Sequence, residues 1–337
     1  MINYVYRLVS PQFISIDYSN INVSNNAIVR PLYMSICHAD QRYFLGARNS
    51  DILSEKLPMA LIHECCGEVV ADRSGTFKRG QKVVLIPNIP AKPSDYILEN
   101  YDECSHFASS NCDGFMREFV DIPADRLLPY DKIPPQNAVL SEYLSVAVHS
   151  VTRLSKYAHE CRDNIAVWGD GSLAYVVCCA LRELMPKAKI TVIGKNLRKL
   201  SRFSFAHKTY LNNSLPKNFH FDHAFECVGG EFSGEAIEDI IKHIKPQGTV
   251  MLMGVSENKI PVNTRQLLEK GLMLIGSSRS GKEDFATALN LMQSVRVRRR
   301  LGSIVYEDAP VRCLDDIYRV FSTDLNTPFK TIFEWKL

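Results

Sequence analysis

Residues Asn164–Ala174 read N-I-A-V-W-G-D-G-S-L-A. An apolar run ends at Trp168, glycines stand at 169 and 171, and a small residue stands at 174. In the pattern G-x-G-x-x-G/A the first glycine makes a tight turn and the second lets the backbone approach a pyrophosphate. The third small residue lets helix and strand pack closely, with the helix N-terminus facing the phosphates. The pattern has meaning only between a strand and a helix, with a second strand some 20 residues on. Ile165–Trp168 predicts the first strand, GDGSLAYVVCCALREL the turn and helix, and Lys189–Ile193 the second strand. Gly169, Gly171, Ser172 and Leu173 are therefore predicted to hold a dinucleotide.

Working outward, the end of the second strand reads T-V-I-G-K-N-L-R-K-L. An acid there would bond the 2′-hydroxyl of an adenosine ribose. Gly194 stands in that place, followed by Lys195, Arg198 and Lys199. A 2′-phosphate would be repelled by an acid and attracted by these cations, so the expected cofactor is NADP(H). Leu197–Ala206 and Gly234–Ile244 predict helices, as does the short Arg265–Lys270; Phe221–Cys227, Gly248–Gly254 and Leu272–Ile275 predict strands. Strands alternating with helices of this length predict a doubly wound parallel sheet of the Rossmann type.

The first half has another rhythm. Ala27–Tyr33, Gly67–Ala71, Gln81–Ile86 and Phe115–Val120 predict short strands punctuated by Gly and Pro, Pro87–Tyr101 a long loop, and Ala138–Tyr157 a helix. The tail, with IVYEDAPV and KTIFEWKL, is strand-rich again. The organisation is read as a β-rich catalytic domain over 1–145, a nucleotide-binding domain over 146–276, and a segment over 277–337 that returns to the first. The cleft between the two domains is the expected active site.

Composition is consistent with this. The chain has 337 residues, 46% hydrophobic and 23% charged, with a net charge of +3, which excludes a disordered chain. A pI near 8.3 falls short of a nucleic-acid binder. No uncharged apolar run approaches the roughly 18 residues of a membrane span. Ten cysteines in a chain of this length, without an export signal, read as reduced thiols in the cytoplasm. The cluster at Arg296–Arg300 reads as a solvated helix end.

Met34–Gly46 reads M-S-I-C-H-A-D-Q-R-Y-F-L-G and Leu61–Val70 reads L-I-H-E-C-C-G-E-V-V. Cys37, His63 and Glu64 offer one thiolate, one imidazole and one carboxylate, a mixed set suited to zinc. Asp40, three residues after the cysteine, is placed to accept the second N–H of a ligating His63.

The motifs I-C-x-x-D-x-x-x-x-x-G, H-E-x-x-G-x-V and D-G-F-x-x-x-F-V (Asp113–Val120) resemble the zinc-containing medium-chain alcohol and polyol dehydrogenases. So do S-E-Y-L-S-V-A-V-H-S (Ser141–Ser150), F-D-H-A-F-E-C-V-G-G (Phe221–Gly230) and I-K-P-Q-G-T-V (Ile244–Val250). The resemblance implies a GroES-like catalytic domain beside the Rossmann domain. It makes Cys37, His63 and Glu64 zinc ligands and Glu142 a fourth carboxylate, bound directly or through water. R-P-L-Y-M-S-I-C-H-A-D-Q-R-Y, L-P-M-A-L-I-H-E and L-E-K-G-L-M-L-I-G-S-S-R-S-G are similar to a narrower group, the ribulose-5-phosphate reductases. That resemblance implies NADPH-dependent reduction of D-ribulose 5-phosphate. It also implies a companion cytidylyltransferase that makes CDP-ribitol for teichoic acid or capsule, and a homo-oligomer. A phosphorylated substrate needs cations, for which Arg42 and Arg279 are the candidates.

Three departures from the wider family stand out. Ile62 replaces the glycine before His-Glu, Ala39 replaces a hydroxyl residue that relays protons, and Cys104 and Cys112 lack the close cysteine triplet of a second zinc. One catalytic zinc and no structural zinc are expected. Glu142 or Glu64 becomes the expected proton relay, with His38 a weaker candidate. The competing readings are a polyol dehydrogenase of unphosphorylated sugars and a catalytically silent binding protein.

Overall fold

The computed structural model describes residues 2–21, 26–92 and 94–337. It divides into two compact units, one built from the residues up to Ser145 together with Ser280–Leu337, the other Val146–Arg279.

The second unit is a six-stranded parallel sheet. Its order is Lys208–Leu211, Lys189–Gly194, Asn164–Trp168, His223–Glu226, Thr249–Leu252 and Met273–Gly276. The chain starts in the middle, winds to one edge and then returns to wind to the other, so strand order reverses between Asn164–Trp168 and His223–Glu226. Doubly wound sheets bind ligands at such a point, beyond the carboxyl ends of the strands. Ile165, Val167, Val192, Ala224 and Val250 are fully buried, as strands covered on both faces require. The helix expected over Leu197–Ala206 stops at Leu200. Phe203 and Phe205 turn back to meet Tyr175 edge-on, with ring centroids 5.1 and 5.2 Å away, and burying Phe203 takes precedence over continuing the helix.

The first unit is β-rich. Its larger sheet places Glu64–Ala71 and Lys330–Trp335 on either side of Ala27–Ser35, both antiparallel to it. A three-stranded sheet joins the hairpin Ile2–Ser10/Phe13–Asn20 to Met59–Ala60. The strand expected over Phe115–Val120 is instead Val120–Ile122. The residues before it bond to a turn: the N–H groups of Gly114, Phe115 and Met116 donate to the carbonyls of Ala60, Ile62 and Leu61. This stitching fixes the backbone that leads into His63 and Glu64. Gly114 is obligatory there, since a Cβ would lie 2.3 Å from the Leu61 carbonyl oxygen.

Candidate active site

Cys37 ends the run from Ala27–Ser35 and precedes the helix His38–Phe44. Asp40 accepts the Cys37 N–H at 3.0 Å, so the acid three residues on closes the first turn. Its other oxygen accepts the Ile62 N–H at 3.1 Å and the Ser109 hydroxyl at 2.7 Å, and lies 3.5 Å from His63 Nδ1. One fully buried carboxylate thus ties the cysteine loop to the His63 turn. Ile62 itself has φ +72, a region that β-branched residues rarely occupy. The Asp40 and Phe115 bonds to its backbone hold that strained turn in place.

His63 ends the turn and Glu64 opens the strand Glu64–Ala71, where Glu64 pairs with Ser35. The register therefore sets both residues beside Cys37. A donor atom from each of Cys37, His63 and Glu64 lies within 4.8 Å of the other two, and among the described residues this is the one such group of three. Glu64 Oε2 is buried without a hydrogen-bond partner. A sulfur, a nitrogen and an oxygen donor at this spacing, with an orphaned carboxylate oxygen among them, fit a zinc ion.

The charges around these donors set their protonation in the absence of metal. Burial alone would push the His63 imidazole down, but Asp40 and Cys37 outweigh it and hold its pKa well above the ordinary value. Asp40 is held low against the burial penalty by His63, Ser109 and the Cys37 N–H. Glu142, in the first turn of the helix Ser141–Tyr157, is 5% exposed. Burial, opposed by His63 and reinforced by Glu64, pushes its carboxyl up to about 7. It is a charge neighbour of the group of three and stands outside it.

A cation completes the site. The buried Lys330 ammonium donates to Glu64 Oε1 and lies 4.7 Å from the centre of the Tyr143 ring. Burial would lower its pKa, yet Glu64 and Cys37 raise it, so it stays charged. Arg42 follows one turn after His38 on the same helix. Its pKa is lowered by burial and by Arg48, whose guanidinium carbon sits 4.3 Å above the Tyr43 ring centre.

In the nucleotide unit, Gly169 has φ +129, and a Cβ there would come 2.9 Å from the Cys227 carbonyl oxygen. Gly171 precedes the helix Ser172–Leu184 with open space around its Cα. Ser172 and Leu173 form the first turn of that helix. Gly194 ends its strand with Lys195 and Arg198 solvent-exposed after it. Arg279 is the last residue of the unit, with φ +57.

Residues 24–134 match the family described as alcohol dehydrogenase GroES-like domain, and residues 213–294 match zinc-binding dehydrogenase. The ribulose-5-phosphate reductase of Streptococcus pneumoniae is 50% identical over 340 residues, covering 100% of this chain and 98% of the relative. The chain belongs to the ribulose-5-phosphate reductase family of zinc-binding dehydrogenases. Ribulose-5-phosphate reductase 1 of Staphylococcus aureus is 45% identical, covering 99% of both chains. The crystal structure of S. aureus TarJ in complex with NADPH matches with a TM-score of 0.88 at 41% identity, over 100% of each chain.

The expected pairing of a doubly wound nucleotide unit with a GroES-like domain is thus met in this dehydrogenase. No helix among the described residues is long and apolar enough to cross a membrane. Sequence reasoning missed two residues. Lys330 sits 266 positions from its partner, and its one signal was a lysine opening a strand whose centre is apolar. Asp170, between the two glycines, accepts the N–H groups of both Lys195 and Asn196.

Proposed function

We propose that this chain reduces D-ribulose 5-phosphate to D-ribitol 5-phosphate with NADPH as the electron donor. Support comes from relatives of that name at 43–50% identity over essentially the whole chain, together with a complete Cys37–His63–Glu64 group. The ketone carbon gains a hydride from NADPH and its oxygen gains a proton.

Cys37, His63 and Glu64 would hold the zinc, one per chain, and a zinc ion there supplies Lewis acidity toward a carbonyl oxygen. Asp40, 3.5 Å from His63 Nδ1, would orient that ring in the metal-bound site, and Lys330 holds one oxygen of Glu64 so that the other is left for the metal. Ala39 has no hydroxyl to relay a proton, so Glu142 is assigned that task. Gly169, Gly171, Ser172 and Leu173 would take the pyrophosphate, with Gly194, Lys195 and Arg198 at the 2′-phosphate. Arg42 and Arg279 would meet the phosphate of the sugar. The reaction is placed in the cytoplasm, in a homo-oligomer. The product would serve a cytidylyltransferase that makes CDP-ribitol for teichoic acid or capsule.

The deciding experiment compares NADPH oxidation by zinc-loaded protein with D-ribulose 5-phosphate and with D-ribulose. Turnover confined to the phosphate is expected. Equal turnover on the free sugar would replace this reading with a polyol dehydrogenase, and none on either would leave the fold without this function. Metal analysis should find one zinc per chain; two would overturn the single-site assignment.

A further inference from the structure

Gly194 lacks the acid that selects NAD, and the structure indicates what excludes it. The Asp170 carboxylate fills the volume that a side chain at 194 would need. A Cβ on Gly194 would lie 2.6 Å from Asp170 Cβ, 2.7 Å from its Oδ2 and 2.9 Å from its Cγ. The same Oδ2 accepts the Lys195 N–H and the Asn196 N–H, both at 2.7 Å. The fingerprint turn is tied to this strand end a second time, through the Gly169 N–H to the Ile193 carbonyl at 2.8 Å.

What lies downstream of the tether is the cationic segment. The Asn196 side chain accepts the Arg198 N–H at 2.9 Å and the Lys199 N–H at 3.2 Å, so the backbone from Lys195 to Lys199 is fixed link by link from Asp170. The Lys195 ammonium sits 3.5 Å from the centre of the Phe232 ring. In a doubly wound fold the adenosine ribose lies at the end of this second strand. Two short charge-assisted bonds hold Asp170 Oδ2 on the backbone at this strand end.

We propose that Asp170 is the positioning residue for cofactor choice. It keeps position 194 free of an acid and pins the Lys195–Lys199 segment where its side chains meet a 2′-phosphate. The inference rests on the NADPH reading above and deepens it. It differs from that reading in placing the control of specificity in the fingerprint loop, 24 residues before the strand end.

The test measures the Kd of NADPH and NADH, by calorimetry or nucleotide fluorescence, for zinc-loaded wild type, D170A, D170N, G194A and the D170A/G194A double variant. KM and kcat are measured alongside. D170A should weaken NADPH by about tenfold, the scale of one charge-assisted contact, and NADH far less. The effect should fall on KM rather than kcat. D170N keeps an oxygen acceptor in place and should recover most of the loss. G194A should weaken NADPH in the wild-type background and add little to D170A, because both changes displace the same carboxylate. Equal weakening of both nucleotides by D170A, a D170N variant no better than D170A, or additive losses in the double variant would each overturn the proposal. A wild-type preference that survives D170A defeats this inference alone. A wild type that binds NADPH and NADH equally defeats the cofactor reading with it.

Discussion

Lys330 and Glu64 form a buried ion pair whose two members have different alternatives. Glu64 can exchange its cation for a metal, whereas Lys330 can only lose its anion. Replacing Lys330 by Met leaves the Glu64 carboxylate buried without a cation, a change that costs about 3–5 kcal/mol when one partner of such a pair is removed. Zinc restores a positive charge at that carboxylate. The Lys330→Met protein should therefore melt well below wild type when metal-free, and closer to it when zinc-loaded. A Tm deficit that zinc leaves unchanged would show that the lysine serves packing alone. For Glu142, the Gln variant keeps shape and loses the titrating oxygen. Turnover should fall by about 10²–10⁴-fold, as for loss of a general acid, with zinc content kept. At this scale the sequence disclosed the donors, because a Cys, a His-Glu pair and an acid three residues after the cysteine are unusual residue types at telling spacings. It did not disclose Lys330, because nothing local marks a lysine whose partner lies 266 residues away.

Two elements carry predictions of their own. Gly114 sits where a Cβ would strike the carbonyls of Leu61 and Ile62. Gly114→Ala should push back the turn leading into His63, lowering zinc affinity and stability together; equilibrium dialysis and thermal melting would record both. In the nucleotide unit, His223 opens one central strand and accepts the Thr249 N–H of the next at 3.1 Å. Burial, aided by His159, whose ring centre is 4.3 Å away, lowers the His223 pKa to about 4. The folded state then binds fewer protons than the unfolded state, where histidine titrates near 6.5. Stability should fall as pH drops from about 6.5 to 4, by about 3 kcal/mol from this group. Denaturant titrations at several pH values should find a shallower fall in His223→Gln. Element boundaries were legible where periodicity met a turn signal, as at Trp168–Gly169. They were misread where tertiary bonds overrode local preference, as at Phe115–Phe119, where Phe115 and Met116 donate to a turn and the pairing with the strand Ile2–Ser10 is cut to a single bridge at Arg117.

For the whole molecule, metal donors and nucleotide fingerprint belong to separate compact units. Damage to one should leave the other competent to bind. Cys37→Ser should lose zinc and turnover while binding NADPH with a Kd within about twofold of wild type, since the residues that would hold the metal and those that would hold the pyrophosphate belong to different units. A large loss of nucleotide affinity would reveal coupling between the units.

The metal-holding unit is also assembled from both sides of the nucleotide unit. On a ribosome adding about 5–20 residues per second, Glu64 emerges many seconds before the strand Lys330–Trp335 that brings its cation. Throughout that interval the Tyr33–Ser35 end of the strand lacks the partner that Ile332–Glu334 will bring, and a carboxylate destined for burial has no counter-charge. The nucleotide unit, being continuous in sequence, can fold in the meantime. A nascent chain halted at Arg279 should thus be protease-resistant over residues 146–279 and labile before them, so that birth order alone makes the catalytic half the last part of the enzyme to exist.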